Sequence, residues 1–138
     1  MSRRLLASAL IAGALLAPPA ARADDSGDVR SVISSQLRAF KAGDGVAAYS
    51  FAAPSIKAMF PSPDVFMSMV RNGYSVVVEA NNVTFGPMRA EGEGFRQDVN
   101  MTDAEGHSYI ASYTLARQPD GSLKITSCSI RKGDDFSA

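Results

Sequence analysis

Alternation of apolar and polar positions is clearest in the C-terminal part of the chain. It predicts three antiparallel strands, Phe95–Met101, His107–Arg117 and Ser122–Ile130. Successive strand side chains point to opposite faces. Phe95, Gln97, Val99 and Met101 therefore share one face of the first strand, and Arg96, Asp98 and Asn100 share the other. In the second strand Tyr109, Ala111, Tyr113 and Leu115 lie opposite Ser108, Ile110, Ser112 and Thr114. The third strand changes phase. Leu123 and Ile125 fall on one side and Cys128 and Ile130 on the other, so either a bulge intervenes or both faces are partly covered. Asp103-Ala104-Glu105-Gly106 and Pro119-Asp120-Gly121 supply the turn chemistry between strands.

Upstream the period becomes helical. Over Asp28–Ala42, Val29, Val32, Ile33, Leu37 and Phe40 occupy one arc at ~100° per residue, with Arg30, Arg38 and Lys41 opposite and Gly43 suited to the stop. Gln36 sits inside the apolar arc. A buried amide without partners costs ~1–3 kcal/mol, so it must bond to backbone, water or a ligand. Asp44 caps a second helix, Gly45–Ala52, which Pro54 ends, and Ser55–Phe60 adds one turn. Ser62-Pro63-Asp64 is a helix start for Pro63–Asn72, and Gly73 stops it. Tyr74–Glu79 and Val83–Phe85 are β-branched and read as one bent strand or two short ones, ended by Gly86-Pro87. Helices followed by antiparallel strands predict an α+β fold, with the helices packed on one face of a curved antiparallel sheet in a cone-like roll.

The first residues follow another pattern. Arg3 and Arg4, the apolar run Leu5–Ala17 and the small residues flanking Arg22 are the parts of a secretory signal peptide, with cleavage expected after Ala23. The run is short for a membrane span of ~30 Å. Ser2-Arg3-Arg4-Leu5-Leu6 partly matches a twin-arginine signal, and the general secretory route is the stronger reading. One domain, residues 24–138, is expected to be periplasmic or secreted, with no membrane span in the mature chain. Removing Arg3, Arg4 and Arg22 leaves eleven basic and fourteen acidic residues, a net charge of −3. With no basic run, nucleic acid is excluded as the expected partner.

The chemistry on offer is sparse. One Cys and one His cannot make a closed zinc site, and neither a cofactor nor a metal is expected. Cys128 reads as a small buried hydrophobe. Glu91-Gly92-Glu93-Gly94 is acidic and would repel phosphate. If the Phe95 and Tyr109 faces meet the helices, Gln97, Tyr109 and Tyr113 join Gln36 and Tyr49 around a mostly apolar cavity with a few polar groups. The alternative is that the tyrosines are amphipathic core residues with hydroxyls at the rim.

Three stretches carry a resemblance: Gln36-Leu37-Arg38-Ala39-Phe40; Phe66-Met67-Ser68-Met69-Val70-Arg71-Asn72-Gly73-Tyr74; and Asp120-Gly121-Ser122-Leu123-Lys124-Ile125 with Cys128. With these the chain resembles an uncharacterised bacterial domain-of-unknown-function family (4864). The order of elements is similar to the nuclear-transport-factor-2-like (SnoaL-like) superfamily, a cone of helices against a curved sheet. That resemblance implies dehydratases, ketosteroid isomerase-like enzymes, binding modules or interaction domains. Such enzymes use an Asp or His base with a Tyr or acid donor inside the cone. Here His107 follows a turn, Asp98 falls on the outer face and Glu79 is the remaining strand acid, so no acid–base pair emerges. The expectation is non-catalytic binding of a small, largely apolar ligand, with or without homodimerisation through the outer sheet face. The alternative is a dehydratase or isomerase using a buried carboxylate and a Tyr in the same pocket.

Overall fold

The computed structural model describes residues 23–133. Apart from Ala23, the expected signal segment lies outside them. Five helices precede four strands: α1 (Ala23–Lys41), α2 (Gly45–Ser50), α3 (Pro54–Met59), α4 (Pro63–Gly73), α5 (Ser75–Val78), β1 (Asn81–Glu91), β2 (Gly94–Thr102), β3 (Ser108–Arg117) and β4 (Leu123–Lys132). The strands form an open, curved antiparallel sheet in the order β1-β2-β3-β4, so the chain has the expected α+β architecture.

Helix α1 begins five residues earlier than its apolar arc, and the reason is tertiary. Arg117, at the end of β3, reaches Asp28 at 2.7 Å and Asp25 at 3.2 Å, which holds the first turns in place through Gly27. Asp24 and Asp25 also suit the positive end of the helix dipole. Val29, Ile33, Leu37 and Phe40 are buried, and Gly43, at φ +71°, turns the chain out of the helix. Asp44 accepts from the Ala47 amide at 3.1 Å and Ser62 from the Val65 amide at 3.2 Å, so both expected caps form. Pro54 opens α3 at its first helical position.

The stretch Tyr74–Glu79 is helical, against the strand expectation. Three consecutive valines fit a buried strand or a buried helical turn equally well by pattern. Here Val76 and Val77 are buried as α5 packs against α1 and α4, and that packing decides. Nor do Gly86 and Pro87 end the strand: β1 continues through them to Glu91 by slipping register between Phe85 and Met88. The amide of Gln97 on β2 fills the slip, donating to the carbonyls of Gly86 (2.9 Å), Pro87 (3.3 Å) and its neighbour Asp98 (2.8 Å).

A bulge resolves the phase change in β4. Thr114 pairs with Ser127 but Leu115 pairs with Ile125, leaving Thr126 as the extra residue. Leu123, Ile125, Cys128 and Ile130 therefore all face the helices, opposite Arg117, Leu115, Tyr113 and Ala111. The segment after α2 covers the start of the β4 edge: Ala53 donates to the Ile125 carbonyl at 2.8 Å and Ile125 to the Phe51 carbonyl at 2.9 Å. The core between sheet and helices is built on Val99, Met101, Ala111, Tyr113 and Leu115 below and on Val29, Ile33, Phe40, Phe66 and Met67 above.

Candidate functional site

Helices and sheet do not close fully on each other. A cavity of about 240 Å³, open on one side, lies between α1, α3, α4, α5 and the β3–β4 pair. Phe40, Phe66, Val70 and Val77 supply its helical wall. Tyr113, Ile125, Thr126, Ser127 and Cys128 supply its sheet side, and Ile56, Met59, Phe60, Met69 and Tyr74 complete it. No lining residue carries a charge at neutral pH.

Gln36 is on the α1 wall and is buried. Its Nε2 donates to the Ala48 carbonyl at 3.1 Å, which ties α1 to α2 and fixes the amide orientation, since a carbonyl can only accept. Oε1 is then the acceptor that Gln36 retains. Tyr113 is 1% exposed, and its hydroxyl has no hydrogen-bond partner. Burial, together with the neighbouring Cys128, pushes this phenol well above its ordinary range, so it keeps its proton. Cys128 lies opposite Tyr113 in register. Burial pushes its thiol up to about 12, so it is a thiol and not a nucleophilic thiolate at neutral pH. The phenol and the thiol act on each other as weakly hydrogen-bonding neighbours, although their geometry falls short of a full bond.

The five expected site residues separate. Gln36 and Tyr113 meet at the cavity. Tyr49 stands outside the lining: its hydroxyl donates to the Phe60 carbonyl at 2.7 Å and its ring packs on Phe66 at 5.4 Å between centroids. Gln97 is fully buried in the β1 slip, with Oε1 unpartnered. Tyr109 lies at the far end of β3, in a shallow groove with Ser108 and Gly133. Sequence reasoning did not place Tyr74, Thr126, Ser127 or Cys128 in the lining. The β4 residues reach it because of the Thr126 bulge, and the broken alternation was the signal for that bulge.

Acid–base candidates lie elsewhere. Exposed His107 bonds to Asp103 at 3.1 Å beside the β2–β3 turn, and Glu79 is exposed after α5. Asp98 is on the outer sheet face, where it accepts from Ser112 at 2.9 Å. Ser112 in turn accepts from Arg96 at 2.8 Å, and Arg96 forms a two-pronged pair with Glu91 at 2.8 Å. Among the described residues no group of three or more His, Cys, Asp or Glu could hold a metal, and no helix is long and apolar enough to cross a membrane.

An α+β domain with an uncharged helix–sheet cavity is the class that fold and site define. The chain belongs to the family described as domain of unknown function DUF4864, which it matches over residues 22–138. No curated protein matches it.

Proposed function

We propose that the protein is a non-catalytic binding module that takes a small, largely apolar ligand in the cavity between helices and sheet. The observation carrying this reading is the uncharged, largely apolar cavity of about 240 Å³ between helices and sheet, with Gln36 and Tyr113 among its few polar lining residues. Sites for small molecules are mostly apolar concavities with a few placed polar groups. The dehydratase or isomerase alternative needs a buried carboxylate beside a cavity tyrosine, and no lining residue is a carboxylate. A thermal-shift screen with native mass spectrometry is the test. A ligand at 100 times its dissociation constant stabilises by ~2.7 kcal/mol. No co-purified species, and no stabilisation across a broad library of small neutral compounds, would remove the reading.

The setting of this activity is part of the same proposal. The chain is exported to the periplasm or beyond and is cleaved after Ala23; an intact Met1 end on the mature protein would refute it. The element order supports a place in the nuclear-transport-factor-2-like superfamily. Homodimerisation through the outer sheet face is tested by sedimentation, with Asp98→Arg as the disturbing change. A monomer at high concentration rules it out.

A further inference from the structure

We infer, resting on the binding reading above, that the ligand is an uncharged oxygen compound of about ten non-hydrogen atoms. Its body is apolar, and a carbonyl or ether-type oxygen at one end accepts a hydrogen bond from Tyr113. Size, charge and polarity each come from a separate observation.

Volume sets the size. An apolar cavity of about 150 Å³ accommodates benzene, so about 240 Å³ accommodates a molecule roughly half as large again. Met59 and Met69 are unbranched and adapt to irregular shapes, so the site specifies size more than outline.

The lining sets the charge. A carboxylate or phosphate entering here would leave water without meeting Arg, Lys or His, and an ammonium would meet no Asp or Glu. Ions transferred to apolar surroundings without a partner are strongly disfavoured.

Tyr113 sets the polarity. It is buried and retains its proton, so the missing interaction is one in which it donates. No side-chain hydroxyl partners it: Thr114 bonds instead with Thr126 at 2.7 Å and Ser127 at 2.6 Å. Cys128 lies alongside, but its thiol is only a weak hydrogen-bond partner for the phenol. A ligand oxygen that displaces the Cys128 sulfur from this hydroxyl replaces a weak acceptor with a strong one, which gives it an advantage over a hydrocarbon of equal size.

Three probes of nearly equal size separate these features: acetophenone, ethylbenzene and benzoate. Each is titrated calorimetrically into the purified chain and into Tyr113→Phe. Acetophenone is expected to bind wild type about tenfold more tightly than ethylbenzene, the scale of one hydrogen bond, with benzoate showing no saturable binding. In Tyr113→Phe acetophenone should fall to within about twofold of ethylbenzene, whose own affinity stays unchanged. Equal binding of acetophenone and ethylbenzene to wild type, or preference for benzoate, overturns the ligand class and leaves a binding pocket standing. Absence of saturable binding by all three probes overturns the pocket reading as well. If Tyr113→Phe does not fold, the wild-type ranking decides alone.

Discussion

Gln97 and Tyr113 face each other in register across β2 and β3, both buried, and each leaves one polar atom without a partner. Cys128 continues the row on β4. A polar line thus crosses the middle of an inner sheet face whose neighbours are Val99, Ala111 and Leu115. Each unpartnered buried atom costs ~1–3 kcal/mol, an appreciable part of the 5–15 kcal/mol that usually separates folded from unfolded states. The two differ in setting. Gln97 has its amide committed to the β1 slip, whereas Tyr113 borders the cavity.

Tyr113→Phe removes the orphaned hydroxyl and keeps the ring. In the ligand-free protein it should raise stability by about 1 kcal/mol, the lower end of the penalty for an unmade buried bond. Urea denaturation of both proteins with an unchanged slope checks this. A loss of about 1 kcal/mol or more would mean that the hydroxyl is bonded in solution, to the Cys128 thiol or to a buried water.

Cys128 predicts an alkaline pH dependence. Its thiol rises from an ordinary 9.0 to about 12 in the fold. Between those values the unfolded chain has lost a proton that the folded chain retains, so stability decreases as pH rises. The contribution is fully present below the unfolded value, and the slope reaches at most ~1.4 kcal/mol per pH unit. The Tyr113 phenol, also raised, adds the same sign at higher pH. Denaturation curves from pH 7 to 10 should show a decline that Cys128→Ala flattens. The same raised thiol, scarcely ionised at pH 8, predicts slow reaction with a disulfide reagent in the native protein and full reaction in denaturant.

Much of the fold was legible because its signals are local. Period-two alternation assigned the inner faces of β2 and β3, and Ser62-Pro63 and Asp44 marked helix starts that the structure has. What misled were places where packing outvotes pattern. Three valines read as a strand became α5, because α1 and α4 offered them a surface. Gly86-Pro87 read as a stop became a slip, because the Gln97 amide donates to the carbonyls that the slip leaves out of the ladder. The site followed the same division. Gln36 and Tyr113 were both visible as polar residues on apolar faces. Tyr49 looked equivalent, but α3 returns the Phe60 carbonyl to its hydroxyl, a contact that the separation of eleven residues does not reveal.

Gln36→Leu separates packing from recognition. It loses the bond to Ala48, worth ~0.5–1.5 kcal/mol net, but the Ala48 carbonyl keeps the Phe51 amide at 3.3 Å and the core gains apolar surface. Stability should change by less than about 1 kcal/mol by the same reckoning. Affinity for a ligand from the screen that carries a hydrogen-bond donor should fall, because the cavity wall loses an acceptor. Unchanged affinity by titration would take Gln36 out of the site.

Gln97→Leu tests what holds the β1 edge. Leucine occupies a similar volume and abolishes the orphaned Oε1, which taken alone is stabilising. It also withdraws the donor shared by the Gly86, Pro87 and Asp98 carbonyls at a point where the β1–β2 ladder is out of register. Carbonyls left bare at the slip cost more than one uncompensated amide oxygen, since several acceptors lose a buried donor together. The expected net loss is about 1–2 kcal/mol. It should be concentrated in β1, where hydrogen exchange of Phe85 and Met88 accelerates before that of Val99 or Tyr113. If Gln97→Leu is instead more stable than wild type and exchange at Phe85 does not change, the slip is held by strand pairing alone, and the amide is only the cost of a polar residue in the core.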